Sequence, residues 1–174
     1  MKRLLVLLLC TSAVFLSCKD NQIGSALTSA EISMNDNPES SLEILESIDR
    51  DLLSTRKQKA KFALLYSMAL DKNYIDIKTD SIIAPAVIYY ENHGAKEERF
   101  LCNYYHARIY ENCGDKENAL LCAIKAESVD TSKVSSQSKY LLYALKGRIY
   151  QQEWRFHESI EAYILACRYS LLSN

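Results

Sequence analysis

Hydrophobic residues recur every three or four positions along most of this chain, the spacing that places side chains on one side of an α-helix. The clearest periodic stretches are residues 97–112, 116–129, 136–152 and 156–171. Weaker periodicity covers much of residues 25–90. The 174 residues include only four Gly and two Pro, too few for a β-fold with frequent turns. The pattern therefore predicts an all-α chain of eight helices in four antiparallel hairpins.

Capping and helix-breaking residues divide the first half of the chain. Asn37 before Pro38 predicts a helix start, because Asn caps free N–H groups and Pro fits the first turn. Pro85 lies inside an apolar run, so the regular helix should begin or bend near it. We expect Asp80 to cap that helix and Gly94 to end it.

One short segment occurs twice. Ala107-Arg108-Ile109-Tyr110 recurs as Gly147-Arg148-Ile149-Tyr150, and we call the step from position 107 to position 147 the repeat interval. In both copies a polar turn follows, and then a second periodic stretch. Self-similarity at such a period is typical of stacked helical repeats.

The two copies resemble the tetratricopeptide repeat, which alternates small and aromatic residues so that two helices can approach closely. The residues at the matching positions are Ala107, Tyr110, Ala119, Ala126, Gly147, Tyr150, Ser159, Tyr163 and Ala166. The resemblance implies an α-solenoid of about four antiparallel hairpins, wound as a right-handed superhelix over residues 25–174. Hairpins in such arrays bury their apolar faces on one another.

Two earlier units match the repeat only weakly. In the first, Ser29, Ile32 and Ser41 fall at the positions of packing residues. In the second, Ser67 and Ala86 take the small-residue positions on either side of an enlarged turn.

The N-terminus has a different character. Lys2 and Arg3 precede the apolar run of residues 4–16, which is too short to cross a bilayer, since a spanning helix needs roughly 20 residues. The run ends in Ser17-Cys18 and resembles the lipobox of bacterial lipoproteins. The resemblance implies a signal peptide at 1–17, lipid chains on Cys18 and a polar tether at 18–24. A plain signal peptide and an uncleaved anchor are the alternatives.

The residue after Cys18 bears on the destination of the protein. An Asp at this position is a familiar inner-membrane retention signal, and here the residue is Lys19. Outer-membrane sorting is therefore expected. Cys18-Lys19-Asp20 also resembles the start of the export signals of Bacteroidetes lipoproteins, which implies a lipoprotein of that type on either the periplasmic or the outer face.

The sequence contains no catalytic motif, and we predict neither an enzyme nor a cofactor. The formal net charge of −1 gives no reason to expect nucleic acid. Cys102 and His106 are four residues apart, a spacing that suits two metal ligands, but no third ligand is evident. Because His106 occupies a core position of the repeat, we interpret it as a structural residue and predict no metal.

Beyond the leader the chain has four cysteines, Cys102, Cys113, Cys122 and Cys167. In an exported protein they can oxidise, and Cys102 and Cys122 would face each other across one hairpin. We favour the alternative, in which they are buried thiols that act as small apolar side chains.

In tetratricopeptide proteins, one side of each first helix lines a concave groove that binds peptides. Carried over to this chain, the groove residues are Leu101, Tyr104, Arg108, Glu111, Asn112, Leu141, Arg148 and Gln151, with Asp71 among those of the weaker second unit. Arg108 and Arg148 then lie on one wall and can fork a carboxylate of a ligand. Alternatively, they pair with carboxylates of the chain itself, such as Glu111 or Glu153.

These features predict a lipid-anchored scaffold that binds a protein or peptide partner. The alternative is a sensory input segment of a signalling system that is separated from its output domain. The last helix leaves Ile164, Leu165, Leu171 and Leu172 available, which also suggests self-association.

Overall fold

A computed structural model describes residues 21–173, apart from the side chain of Thr131. This part of the chain is all-helical and contains no strand. The helices are α1 (residues 21–33), α2 (Pro38–Glu46), α3 (Arg56–Lys72), α4 (Ala84–Tyr90), α5 (Lys96–Asn112), α6 (Lys116–Ser128), α7 (Ser136–Gln152) and α8 (Phe156–Leu171). Short 3-10 turns lie at Arg50–Leu52 and Thr131–Lys133. The predicted bounds of α7 and α8 are confirmed.

The predicted tether is wrong in its second half. Residues 21–24 belong to α1, and Ile23 is buried with Leu27, Met34 and Leu45. A buried Ile just before the predicted boundary extends the apolar side of the helix toward the N-terminus. The folded domain therefore includes residues that the polar composition of the segment had assigned to a linker. The leader and Cys18 lie outside the described residues.

Asn37 caps its helix as predicted, whereas Asp80 does not. The side chain of Asn37 accepts a hydrogen bond from Ser40 N at 3.1 Å, as its position before Pro38 predicts. Asp80 does not cap α4 with its side chain, because α4 begins at Ala84 and its first turn has no side-chain cap. The backbone carbonyl of Asp80 instead accepts from Ala84 N at 2.9 Å. The expectation that the helix begins near Pro85 is confirmed.

Turns of the backbone also recur at the repeat interval, and the series begins with the turn that follows α3. Tyr74, Gly114 and Trp154 follow α3, α5 and α7 at successive repeat intervals, and all three have left-handed φ angles, of 60°, 74° and 60°. The next backbone N–H in each turn, of Ile75, Asp115 and Arg155, donates to a carbonyl five residues earlier at 2.9 Å. This is the Schellman ending of a helix. Three helices thus end in the same geometry, although only one of the three turns has the glycine that favours it.

Consecutive helices pack on one another along the chain. Helix α3 packs against α2 and α4, α5 against α4 and α6, and α7 against α6 and α8. Contacts also join α3 to α5 and α5 to α7. The buried core is continuous because α3 serves two clusters: Leu65 packs with the residues of α1 and α2, and Leu64 with those of α5.

Small residues sit where paired helices approach most closely. Ala107, Ala119 and Ala126 are fully buried between α5 and α6, while Gly147, Ser159 and Ala166 are buried between α7 and α8. The hydroxyl of Ser159 donates to the carbonyl of Gly147 at 2.9 Å, so its polar atom is satisfied inside the contact. The aromatic residues predicted for the same motif, Tyr110, Tyr150 and Tyr163, are partly buried beside it.

The first helix pair has the same contact in a different register from the predicted one. Ser41 is buried and donates to the carbonyl of Ala30 at 2.9 Å, which reproduces the Ser159–Gly147 bond. Ala30 therefore takes the small-residue position assigned to Ser29, which is exposed together with Ile32. The assignment of Ser29 and Ile32 to packing is wrong, because the true register is shifted by one residue.

Gly147 is required by its neighbour on α8. A Cβ atom placed on Gly147 would lie 2.7–2.9 Å from three ring atoms of Tyr163. In the preceding pair the residues one repeat interval earlier are Ala107 and Ala123, and both are fully buried. The chain thus fills the same space in two ways, with two alanines in one pair and with glycine and tyrosine in the next.

This exchange predicts that the effect of Gly147→Ala changes sign with residue 163. In the wild-type chain the added methyl collides with the ring and should cost about 1–2 kcal/mol of unfolding free energy. In the Tyr163→Ala background it should stabilise by up to about 1 kcal/mol, because Ala favours a helix over Gly. Urea unfolding of the four proteins measures both values. An equal effect in the two backgrounds would show that the ring is not the constraint.

Candidate functional site

The predicted groove residues lie on α5 and α7, and α5 contacts both α3 and α7. Two of them, Tyr104 and Glu111, are less exposed than expected. Tyr104 is buried, so it offers little surface to a ligand. Leu101 and Leu141 are partly buried and pack against the core, whereas Gln151 is exposed. Asn112 donates to the carbonyl of Ile77 at 3.5 Å in the connection after α3. The surface is therefore mainly polar.

A row of four alternating charges joins the three helices, and we call Asp71, Arg108, Glu111 and Arg148 the charge row. Arg108 Nε lies 2.9 Å and Arg108 Nη2 lies 2.8 Å from Asp71 Oδ1 on α3. Arg108 Nη1 also donates to Glu111, one turn further along α5. From α7, Arg148 donates from Nε and Nη2 to the two carboxylate oxygens of Glu111, each at 3.1 Å. Each positive group in the row thus lies against at least one negative group.

The charge row repeats with the fold. Both inter-helix pairs, Asp71 with Arg108 and Glu111 with Arg148, join residues 37 positions apart. The residue of α7 that corresponds to Asp71 and Glu111 is Gln151, which follows Glu111 by one repeat interval. Its amide oxygen accepts from the hydroxyl of Tyr163 at 3.3 Å. The row of alternating charges therefore ends at Arg148, next to a neutral side chain.

Burial distinguishes the two arginines. The side chain of Arg108 is 21% exposed and that of Glu111 is 9% exposed, whereas Arg148 remains 42% exposed. Burial alone would lower the pKa of Arg108, but Asp71 and Glu111 raise it above its ordinary value. Burial and Asp71 raise the pKa of Tyr104 beside the row, so this phenol stays protonated. Arg108 is thus a permanent internal cation, while Arg148 can also contact a ligand.

The structure shows pairing within the chain for both arginines, and exposure is what separates them. Both arginines pair with Glu111, as the second sequence-based interpretation holds. Glu153 has a different partner, Lys116, at 3.0 Å. Only Arg148 retains enough exposed surface to take part in recognition as well.

Cys102 and His106 do not form a metal site with other residues. Within residues 21–173, no group of three or more His, Cys, Asp or Glu side chains is placed to hold a metal ion. The ring of His106 packs on Tyr110 with centroids 4.7 Å apart, and Nε2 is buried without a hydrogen-bond partner among the described groups. Burial lowers the pKa of His106, Asp80 opposes this, and Lys125 adds to it. The geometry is that of a neutral core histidine.

The four described cysteines are free thiols. Cys102 and Cys122 are buried, and burial raises the pKa of both thiols above the ordinary value. The Cys102–Cys122 disulfide considered from the sequence is not formed in the structure. Cys113 and Cys167 are exposed.

Comparison with protein-family models, curated proteins and solved structures finds no match to this chain. The helices within residues 21–173 are each too short or too polar to cross a membrane.

Sequence reasoning placed Asp71, Glu111 and the arginines on one surface and offered Glu111 as their partner, but it missed the ion pair between Arg108 and Asp71. It also missed the ion pair between Lys146 on α7 and Glu127 on α6 at 2.5 Å. The available signal for the charge row was an acidic residue at Asp71 and again at Glu111, which precede Arg108 and Arg148 by the same 37 positions.

The two arginines should differ in their contribution to stability. Arg108→Met leaves Asp71 without its cation in a partly buried site, and we expect a loss of about 2–3 kcal/mol, below the range for fully buried pairs. Arg148→Met removes a more exposed ion pair and should cost about 1 kcal/mol or less. Urea unfolding at constant ionic strength measures both. Equal losses would contradict the assignment of Arg108 as the internal member of the row.

Proposed function

We propose that this chain is a tetratricopeptide-like α-solenoid that binds an acidic segment of a protein partner beside Arg148, held at the bacterial envelope by a lipid on Cys18. The observation that supports an acidic ligand is that Arg148 is held in a fixed position and is still partly exposed. Glu111 holds its guanidinium in place through two hydrogen bonds, and 42% of the side chain remains exposed. A cation already fixed in position loses little conformational freedom on binding a carboxylate.

Two features support the solenoid. Helix endings of the same geometry recur at the repeat interval after α3, α5 and α7. The described helices contact mainly those one or two places away along the chain. Both are expected of a repeat array, in which each unit packs only on its neighbours.

The surroundings of Arg148 support an extended peptide as the ligand. Leu141, Ala144 and Gln151 share one side of α7 with it, since they are separated by three or four residues at a time. Leu141 supplies an apolar contact, Ala144 leaves room, and the exposed Gln151 can bond to a peptide backbone. The right-handed superhelix would continue this surface onto α5 and α3.

The short distance to Cys18 supports the location. Residue 21 is already helical, so three residue steps, at most about 11 Å, separate it from Cys18. A lipid on Cys18 would hold the domain directly against the membrane surface. With Lys19 after the cysteine, we place the protein at the outer membrane.

Photocrosslinking in living cells tests the proposal. A benzophenone amino acid at position 144 should yield a discrete crosslinked product in the membrane fraction, identified by mass spectrometry. The matched control is position 124, an exposed residue on α6. Arg148→Met should reduce the product at position 144 at least about fivefold, as expected for loss of an interaction of about 1 kcal/mol.

Two outcomes would contradict the proposal. One is equal crosslinking from positions 144 and 124, and the other is crosslinking at position 144 that does not depend on Arg148. Cys18→Ser serves as the control for location. It should move the protein out of the membrane fraction, or leave it as an unprocessed precursor.

A further inference from the structure

Helix α8 has an exposed apolar stripe on the side that faces away from α7. Ser159, Ala162 and Ala166 are buried toward the fold. On the other side, Ile160 is 60% exposed and Ile164 is 55% exposed. We call the exposed set Phe156, Ile160, Ile164, Cys167 and Leu171 the α8 stripe. Steps of three and four residues place it on one side of the helix over its full length.

Helix α6, one repeat interval earlier, shows how the corresponding surface is covered inside the fold. Helix α7 packs over part of it: Leu120, one repeat interval before Ile160, is partly buried against the core, whereas Ile124, one repeat interval before Ile164, stays exposed. Ion pairs fix both ends of this contact: Lys116 with Glu153 at 3.0 Å, and Glu127 with Lys146 at 2.5 Å.

In α8 both of these charged positions have become apolar or neutral. At one repeat interval along the chain, Phe156 replaces Lys116 and Cys167 replaces Glu127. A further helix like α7 would therefore place its Lys and Glu against a phenyl ring and a thiol, which leaves both charges without partners. The α8 stripe suits a helix that is apolar where α7 is charged.

The α8 stripe of a second copy is apolar at these positions. Charged residues beside the stripe can also pair between two copies. Glu161 and Arg168 are exposed and seven residues apart, so they lie on the same flank. If two copies of α8 run antiparallel, Glu161 of each copy lies opposite Arg168 of the other. The only ion pair of Glu161 among the described residues is with His157, at 3.3 Å.

We propose that α8 is the contact surface of a symmetric homodimer, in which the α8 stripes of two copies pack antiparallel and Glu161 pairs with Arg168 twice. A two-fold axis makes such a contact self-complementary and closed. With Glu161 opposite Arg168, the axis passes beside Ile164, and the two Cys167 residues are offset by about 7–8 Å along the helices. The peptide-binding face on α7 is a separate surface, so this inference does not depend on the proposed function.

The test is light scattering and cysteine crosslinking of the full chain in mild detergent. We expect a dimer mass, and Ile164→Glu should raise the dissociation constant at least about tenfold. Glu161→Arg and Arg168→Glu should each weaken the dimer, because each one juxtaposes like charges, and the double exchange should restore it. A short bis-maleimide, which spans a longer gap than a disulfide, should crosslink the dimer in Cys113→Ser but not in Cys167→Ser.

The matched control is Ile124→Glu on α6, which should leave the dimer intact. Circular dichroism establishes that each variant is helical, and the charge variants alter only exposed positions. A monomer at all concentrations would overturn the proposal, as would a dimer insensitive to Ile164→Glu. If the double charge exchange fails to restore association, the antiparallel arrangement is wrong.

Discussion

Arg108 lies between two carboxylates, and this arrangement constrains three helices together. Asp71 reaches it from α3, Glu111 from one turn along α5, and Arg148 joins Glu111 from α7. Desolvated charges are costly unless they are paired, so each helix must keep the register that leaves no member of the row alone. The same register gives the two arginines different exposure. Both hydrogen-bonding sides of Arg108 are occupied by Asp71 and Glu111. Arg148, at the end of the row, remains partly exposed to solvent.

Packing between paired helices sets the second constraint, and the chain satisfies it with different residues in each pair. Two alanines meet in one pair, glycine accommodates Tyr163 in the next, and Ser41 bonds to the carbonyl of Ala30 in the first. What is shared is a small volume at the closest approach, and Ser41 and Ser159 each add a hydrogen bond to the carbonyl of the facing helix. A repeat can therefore be regular in its backbone at Tyr74, Gly114 and Trp154 while its side chains diverge.

Much of the fold could be predicted from local information, and the errors have a common physical origin. The bounds of α7 and α8 follow from periodicity and turn residues. Ala30 was missed in favour of Ser29 because a weak repeat allows a shift of one residue, and only packing against α2 decides the register. Ile23 was assigned to a tether because its neighbours are polar. The surface of the candidate site was predictable, whereas its ion pairs depend on how helices distant in sequence align.

The coupling between Asp71 and Arg148, which share no contact, tests most directly whether the charges act as one connected row. Unfolding free energies of Asp71→Asn, Arg148→Met and the double variant provide it. Without Asp71, Arg108 and Arg148 repel each other around Glu111, so loss of Arg148 should cost less by about 0.5–1 kcal/mol, beyond the deviation of independent sites. An Arg148→Met effect that is the same in both backgrounds would contradict the account.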